Sequence, residues 1–369
     1  MNEDKASRYN RLKRAASVMS LAASVACIVV LLTTGASITI RDVAEHAAPR
    51  AVGPTATVVI YVAMLAGITE LVSLPLAFYS GYVLERRYEL SRESFGAWLL
   101  DQVKSLAIGL LLFDAGASIL YALIRRSPEG WWLPAGIVFA LLIVGMAQLA
   151  PVLLLPLFYS VKPLDREALR TRLVALAERA GARVLGAYEW GLGEKTKKAN
   201  AALAGIGGTR RILVSDTMLA EYSDEEIEVV LAHELAHHVH GDIWKGIGFE
   251  SALILGGFFL ASRVLEALAP RFGLRGVDDV AGLPLLILAA GAVSLVMVPV
   301  AHAISRAFER RADRFALDLT RNPGAFISAM RRLGAQNLAE EHPSRIVQWL
   351  FYSHPPVLER IAAARAFES

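Results

Sequence analysis

Two histidines four residues apart, His233 and His237, enclose a glutamate in the segment His233-Glu234-Leu235-Ala236-His237. On a helix, positions four apart lie on one face, so the two imidazoles can meet a single metal ion. Glu234 then sits beside the ion, where a carboxylate can take a proton from a zinc-bound water. The pattern therefore reads as half of a zinc hydrolase site with its own general base. The plainer reading is a surface helix that happens to carry two histidines. The chemistry requires a helix, and Ser223-Asp-Glu-Glu226 just upstream is a capping box that starts one running through both histidines.

A catalytic zinc site needs a third protein ligand and an open position. The segment Ser305-Arg-Ala-Phe-Glu309-Arg-Arg-Ala-Asp313 places two carboxylates four apart on an expected helix. One can bind the metal while the other holds a ligating imidazole in its tautomer through the second ring nitrogen. Read alone, the segment is an exposed, charged helix end. His238 and His240 point to other faces of the first helix and are expected not to be ligands. His302 falls at the edge of an apolar segment.

The elements that must position these groups are largely embedded in a membrane. Mean hydropathy is +0.44, with 55% hydrophobic and 20% charged residues. Six apolar spans are long enough to cross about 30 Å of hydrocarbon, near Ser17–Gly35, Thr57–Tyr79, Val103–Ile124, Trp132–Leu155, Ser251–Ala267 and Ala281–His302. Lys5, Arg8, Arg11, Lys13 and Arg14 precede the first span and place the N-terminus in the cytoplasm. Threading six spans then puts the 156–250 segment and the C-terminal tail on the same side. The single cysteine, Cys27, excludes an intramolecular disulfide and a cysteine-based metal site. A net charge of +3 is too small to suggest nucleic acid as a partner. Glu70 and Asp114 lie inside apolar spans, where an ionisable group is costly unless it faces protein or water. They line a polar intramembrane cavity or form satisfied helix–helix hydrogen bonds.

Two longer polar stretches remain. The first, from about Pro156 to Phe249, should hold a helix from Asp165 to about Ala180 with Gly181 as its C-cap, and then Arg211-Ile-Leu-Val-Ser as a short buried strand. The expected division is 1–155 as an N-terminal membrane region of about four helices and 156–249 as a peptidase segment with the zinc helix. Two further membrane helices fill 250–303, and 304–369 is a peptidase segment carrying the third ligand.

Taken in order, these motifs resemble those of the integral-membrane zinc metallopeptidases of the CAAX prenyl protease 1 type, gluzincins related more distantly to the HtpX heat-shock membrane protease. The likeness begins at Pro156-Leu-Phe-Tyr-Ser-Val-Lys-Pro-Leu164. It continues through Asn200-Ala-Ala-Leu-Ala-Gly205, Ile212-Leu-Val-Ser-Asp-Thr-Met-Leu219, the zinc helix, Glu309 to Asp313, and Tyr352-Ser-His-Pro-Pro-Val-Leu-Glu-Arg360. The resemblance implies His233, His237 and Glu309 as ligands of one Zn(2+) per chain, with Glu234 as general base and later proton donor. It implies Asp313 as the partner of a ligating histidine, His354 as stabiliser of the oxyanion, and Arg360 as support at that edge of the site. Without it, His354 before two prolines is simply a helix stop. Asn200, Ala201, Ala202 and Leu203 would form an edge strand that pairs with an extended substrate backbone.

The expected molecule is an all-α polytopic membrane protein with a cytoplasmic α+β zincin-like peptidase domain carrying a short β-sheet. Its expected activity is zinc-dependent endopeptidase cleavage of peptide or protein substrates, with the lipid bilayer as its setting, the cell inner membrane. The rival readings are a quality-control protease for misfolded membrane proteins, a catalytically silent membrane binding protein, and a transporter suggested by Glu70 and Asp114.

Overall fold

The computed structural model describes residues 4–49, 51, 53–205 and 210–368, apart from the side chains of 148, 150–152 and 368. The chain opens with α1 (Lys5–Thr33) and the short α2 (Ala36–Ala47), joined at Gly35, whose φ of 75° lets the backbone reverse. Helix α3 (Pro54–Phe78) starts with proline in its first turn. It passes through a π-helical turn at Tyr79–Val83 into α4 (Leu84–Arg87). Next come α5 (Phe95–Arg126), capped by the Ser94 hydroxyl, and α6 (Trp132–Leu153). A short α7 (Leu155–Phe158) then leaves the apolar region.

Among the described residues, five helical stretches are long and apolar enough to cross a membrane: Lys5–Thr33, Pro54–Arg87, Phe95–Arg126, Asp242–Phe272 and Val280–Thr320. The expected span from Trp132 is the apolar helix α6. The chain is a multi-pass membrane protein.

The polar segments carry β1 (Val161–Pro163), α8 (Glu167–Arg179), β2 (Ala187–Trp190), β3 (Ala201–Ala204) and β4 (Arg211–Ser215). The strands form one mixed sheet in the order β1-β2-β4-β3, with β2 parallel to β4 and the other pairs antiparallel. Among the described residues, strand β3 has β4 on one side and an unpaired edge on the other. Strand β4 is buried along Ile212–Ser215, and its Ile212 and Val214 share a core with α8 and α10. The helices around it are α9 (Asp216–Glu221), α10 (Asp224–Val239), α11 (Asp242–Leu268) and α12 (Leu283–Thr320). They are followed by α13 (Pro323–Gln336), α14 (Arg345–Phe351) and α15 (Val357–Glu368).

Helix α12 has 38 residues. At 1.5 Å per residue that is about 57 Å, nearly twice the hydrocarbon thickness. One helix thus serves both of the two large cores. Its first turns (Leu283, Leu285, Leu286) pack with α1, α3, α5 and α11. Its last turns (Ala316, Leu317) pack under α8, α10 and α13.

Helix α2 is absent from the sequence expectation. It is held by an ion pair in which Arg41 Nη1 lies 2.5 Å from Asp279 Oδ2, with side chains 6% and 0% exposed. Asp279 also accepts from the amides of Arg275 (2.9 Å) and Ala281 (3.0 Å), and Ser37 donates to the Ala281 carbonyl at 2.6 Å. Removing one member of a buried pair strands the other charge in low dielectric. Asp279→Ala should lower the unfolding free energy by about 3–5 kcal/mol, measured by denaturation in detergent; an unchanged unfolding midpoint would contradict the pairing.

Candidate metal centre

Helix α10 delivers His233 and His237 from a well-defined start. The Ser223 hydroxyl accepts from the Glu226 amide at 3.2 Å, and the Glu226 carboxylate accepts from the Ser223 amide at 2.8 Å. The Ser223 and Glu226 amides, two of the donors left open at the helix start, are thereby satisfied, which fixes where the helix begins. The face bearing Leu231, Ala232 and Leu235 is fully buried. The histidines then project on one side, with ring centroids 5.0 Å apart and planes at 86°.

Helix α12 brings the acidic pair onto that face. Glu309, 4% exposed, bridges the two rings. Its Oε2 is 3.3 Å from His233 Nε2, and its Oε1 is 3.3 Å from His237 Nε2. Ligand atoms of His233, His237 and Glu309 all fall within 4.8 Å of one another, the one such cluster among the described residues. Bonds of about 2.0–2.1 Å in a tetrahedral shell give ligand–ligand edges of about 3.3–3.4 Å, so this spacing fits a zinc-sized ion. Glu309 Oε2 is buried without a hydrogen bond of good geometry, although His354 Nδ1 comes within 2.7 Å of it. A metal would satisfy that atom.

Each imidazole has its own carboxylate behind it. His233 Nδ1 lies 2.8 Å from Asp313 Oδ1 and His237 Nδ1 lies 3.1 Å from Asp242 Oδ2. With a metal bound, these contacts would hold the proton on Nδ1 in both rings and leave each Nε2 lone pair for the ion. Asp242 is itself paired with Arg311. Arg360 donates to Asp313 Oδ2 through Nε at 2.9 Å and to Oδ1 through Nη2 at 2.5 Å.

The pocket is electrostatically built for a cation. Glu234, Glu309 and Asp313 face one buried guanidinium, Arg360. Burial alone pulls the His233 imidazole down, yet hydrogen bonds to Asp313 and Glu309 outweigh it and push the ring up to about 9. Burial raises the Glu234 carboxyl above its ordinary range, opposed by His233 and His237.

Beside the cluster lies a cavity of about 390 Å³, lined by Glu234 and His233, by His354, Arg360 and Tyr352, and by apolar side chains including Met218, Met330 and Leu333. Asn200 and Ala201 line it too, which puts the start of β3 against the site. Ala202 and Leu203 continue the strand outside the cavity lining, and Leu203 packs on the core. His354 is 62% exposed at the rim. His238, His240 and His302 stand outside the metal cluster, and His240 instead packs edge-on against Phe315.

The two intramembrane acids are not brought together. Glu70 lines a cavity of about 310 Å³ between α3 and α5 with Thr69, Gln102 and Ser105. Asp114 is outside that lining, and its Oδ1 is buried without a hydrogen-bond partner among the described residues.

Sequence reasoning missed Asp242, the partner of His237. Its signal was present: an acid directly after Gly241, in the first turn of the next helix and five residues past the histidine. It also missed Glu340, which lines the far end of the cavity.

Fold and site together define a membrane-embedded metallopeptidase. The chain belongs to peptidase family M48, whose profile matches residues 163–368. The profile described as CAAX prenyl protease N-terminal, five membrane helices, matches residues 2–160. An uncharacterised metalloprotease of Bacillus subtilis, YhfN, is 32% identical over 344 residues, covering 92% of this chain and 80% of the relative. CAAX prenyl protease 1 of Saccharomyces cerevisiae is 26% identical, covering 82% and 71% of the two chains. The crystal structure of Saccharomyces mikatae Ste24p superposes with a TM-score of 0.88, covering 98% of this chain and 88% of that one at 22% identity. The fold is thus Ste24p-like, and membership of family M48 makes the chain a metalloprotease, acting on peptide bonds at a membrane.

Arg360 and Asp313 have side chains only 12% and 6% exposed, and each carries a full charge. Arg360→Met should lower the unfolding free energy by about 3–5 kcal/mol, because it leaves the Asp313 carboxylate unpaired. Thermal unfolding in detergent checks this; an unshifted transition would contradict the pairing.

Proposed function

We propose that the chain is a zinc-dependent endopeptidase that cleaves extended segments of peptide or protein substrates at the cytoplasmic face of the cell inner membrane. The observation that carries this reading is the convergence of four remote segments on one point. His233 and Glu234 of α10, the loop before α15 and Asn200–Ala201 at the start of β3 border one cavity, and beside it Glu309 of α12 meets His233 and His237. The basic residues ahead of α1 support the orientation.

In this reading residues 1–155 and 250–303 hold the enzyme in the bilayer, while 156–249 and 304–369 form the peptidase. His233, His237 and Glu309 hold one zinc ion. When bound, zinc supplies Lewis acidity, polarising a carbonyl and making water acidic near neutral pH. Asp313 keeps His233 in the tautomer that presents Nε2, and Asp242 does the same for His237. Arg360 neutralises Asp313, so this carboxylate orients the ring without being left as an unpaired buried charge.

The substrate backbone extends the sheet beside β3 near Asn200, where main-chain hydrogen bonds align it without demanding much sequence. The apolar part of the cavity receives a side chain on one flank of the scissile bond. Glu234 accepts a proton from the attacking water, a role suited to a carboxyl whose burial has raised its proton affinity. It then passes the proton to the leaving amine. His354 at the rim donates a hydrogen bond to the carbonyl oxygen as it becomes an oxyanion. The relatives named CAAX prenyl proteases suggest C-terminal cysteine-containing peptides as the first substrates to try. No observation favours a silent binding protein, for which Glu234 would have no use.

Protein purified in detergent should contain about one zinc per chain and cleave members of an unbiased peptide library. Glu234→Gln should keep the zinc and lose about 10²–10⁴ in kcat. Glu309→Ala should lose the zinc. Unchanged zinc in Glu309→Ala would sink the ligand assignment, and full cleavage by Glu234→Gln would sink the mechanism.

A further inference from the structure

His354 is exposed at the cavity rim, and side-chain packing does little to fix it. Apart from the approach of its Nδ1 to Glu309 Oε2 at 2.7 Å, its position comes from the backbone of the segment that carries it. That segment runs from the end of α14 through Tyr352 and Ser353 to His354, and then into the buried Pro355 and Pro356. Prolines restrict their own φ and the residue before them, so any displacement at Tyr352 is passed on to His354.

Tyr352 is anchored twice. Its carbonyl accepts from Arg306 Nη1 at 2.6 Å, and the same guanidinium group reaches the Gln348 carbonyl at 3.0 Å. Arg306 sits one turn before Glu309 on α12, so this anchor ties the segment to the metal helix. The second anchor comes from the opposite end of the chain. The Tyr352 hydroxyl donates to Glu340 Oε2 at 2.7 Å, and Arg14 Nη1 reaches that same oxygen at 2.6 Å and the hydroxyl at 3.2 Å. Arg14 is 18% exposed and Glu340 11%. Four residues earlier on α1, the Asn10 amide donates to the Leu338 carbonyl at 2.7 Å, fixing the loop that presents Glu340. The first turns of the first membrane helix thus buttress the wall of the cavity that holds His354.

We propose that Arg14 is a positioning residue for the peptidase: through Glu340 and the Tyr352 hydroxyl, it holds the 352–356 segment so that His354 meets the developing oxyanion. The inference rests on the oxyanion role given to His354 above. Arg14 does not touch substrate in this account, and its effect falls on the transition state and not on ground-state binding. It also gives the residues ahead of the first apolar span a function in catalysis besides orientation.

The test uses the full-length protein in detergent, with Arg14→Gln, Glu340→Gln, the double variant and Arg14→Lys. Arg14→Gln should keep its zinc and its KM within about twofold, while kcat falls about tenfold, short of the ~10²–10³ lost when an oxyanion donor is itself removed. Affinity for a phosphinic peptide, a tetrahedral anionic mimic, should fall in parallel. The double variant should be no worse than either single one, because both break the same contact. Arg14→Lys should recover most of the loss. Hydrogen exchange of residues 348–354 should quicken in Arg14→Gln while α10 stays protected, a readout that needs no cleavage. A raised KM with unchanged kcat would overturn the proposal by making Arg14 or Glu340 a substrate contact. Additive losses, or unchanged exchange of 348–354, would overturn it as well. An inactive wild-type protein would count against the proposed function, and the exchange comparison would still decide whether the latch exists.

Discussion

The meeting of Glu309 with the two imidazoles of α10 is the contact on which the rest of the architecture depends. Two helices from distant parts of the chain must cross so closely that a carboxylate spans both Nε2 atoms at 3.3 Å. That arrangement is unfavourable by itself, since it buries Glu309 among groups that satisfy one of its oxygens poorly. The surrounding structure has to impose it. The capping box sets the start of α10, the core under β4 fixes its depth, and the length of α12 carries its acids from the membrane bundle to the crossing. Asp313 with Arg360 and Asp242 with Arg311 then lock the two rings from behind.

The site is built across the boundary between membrane and polar parts and does not sit within one of them. Helix α12 belongs to both cores, and α1 reaches back from the bilayer to Glu340 and Tyr352. A similar junction lies on the strand side, where Glu85 accepts from Tyr9 and Lys13 and pairs with Lys198, just ahead of β3. Both walls of the cavity are therefore fastened to the first turns of α1. This explains in physical terms why a peptidase of this kind need not be a separable globular domain: its groove takes its width from groups on membrane helices.

What could be read in the sequence was local in origin. The capping box, the four-residue spacing of His233 and His237, and the four-residue spacing of Glu309 and Asp313 each follow from helix geometry within a few residues. The strand Arg211–Ser215 and the helix ending near Gly181 were legible for the same reason, from a short apolar run and a residue suited to positive φ. Helix α2 was hidden because its stability comes from Asp279, a partner 238 positions away. Strands β1 and β2 are too short and too mixed in composition to announce themselves. Glu70 and Asp114 both interrupt apolar runs, yet periodicity says nothing of how two helices rotate against each other, and of the two only Glu70 reaches the small polar cavity. The link from Arg14 to Tyr352 spans 338 positions, and no spacing rule reaches that far.

The central claim is that α10 and α12 together make one metal centre. Anomalous diffraction at the zinc edge from crystals of the purified, chelator-free protein tests it most directly. The account predicts a single strong peak about 2.0–2.1 Å from His233 Nε2, His237 Nε2 and one Glu309 oxygen. A peak bound elsewhere, or a cluster that stays metal-free in protein shown to cleave peptides, would contradict it.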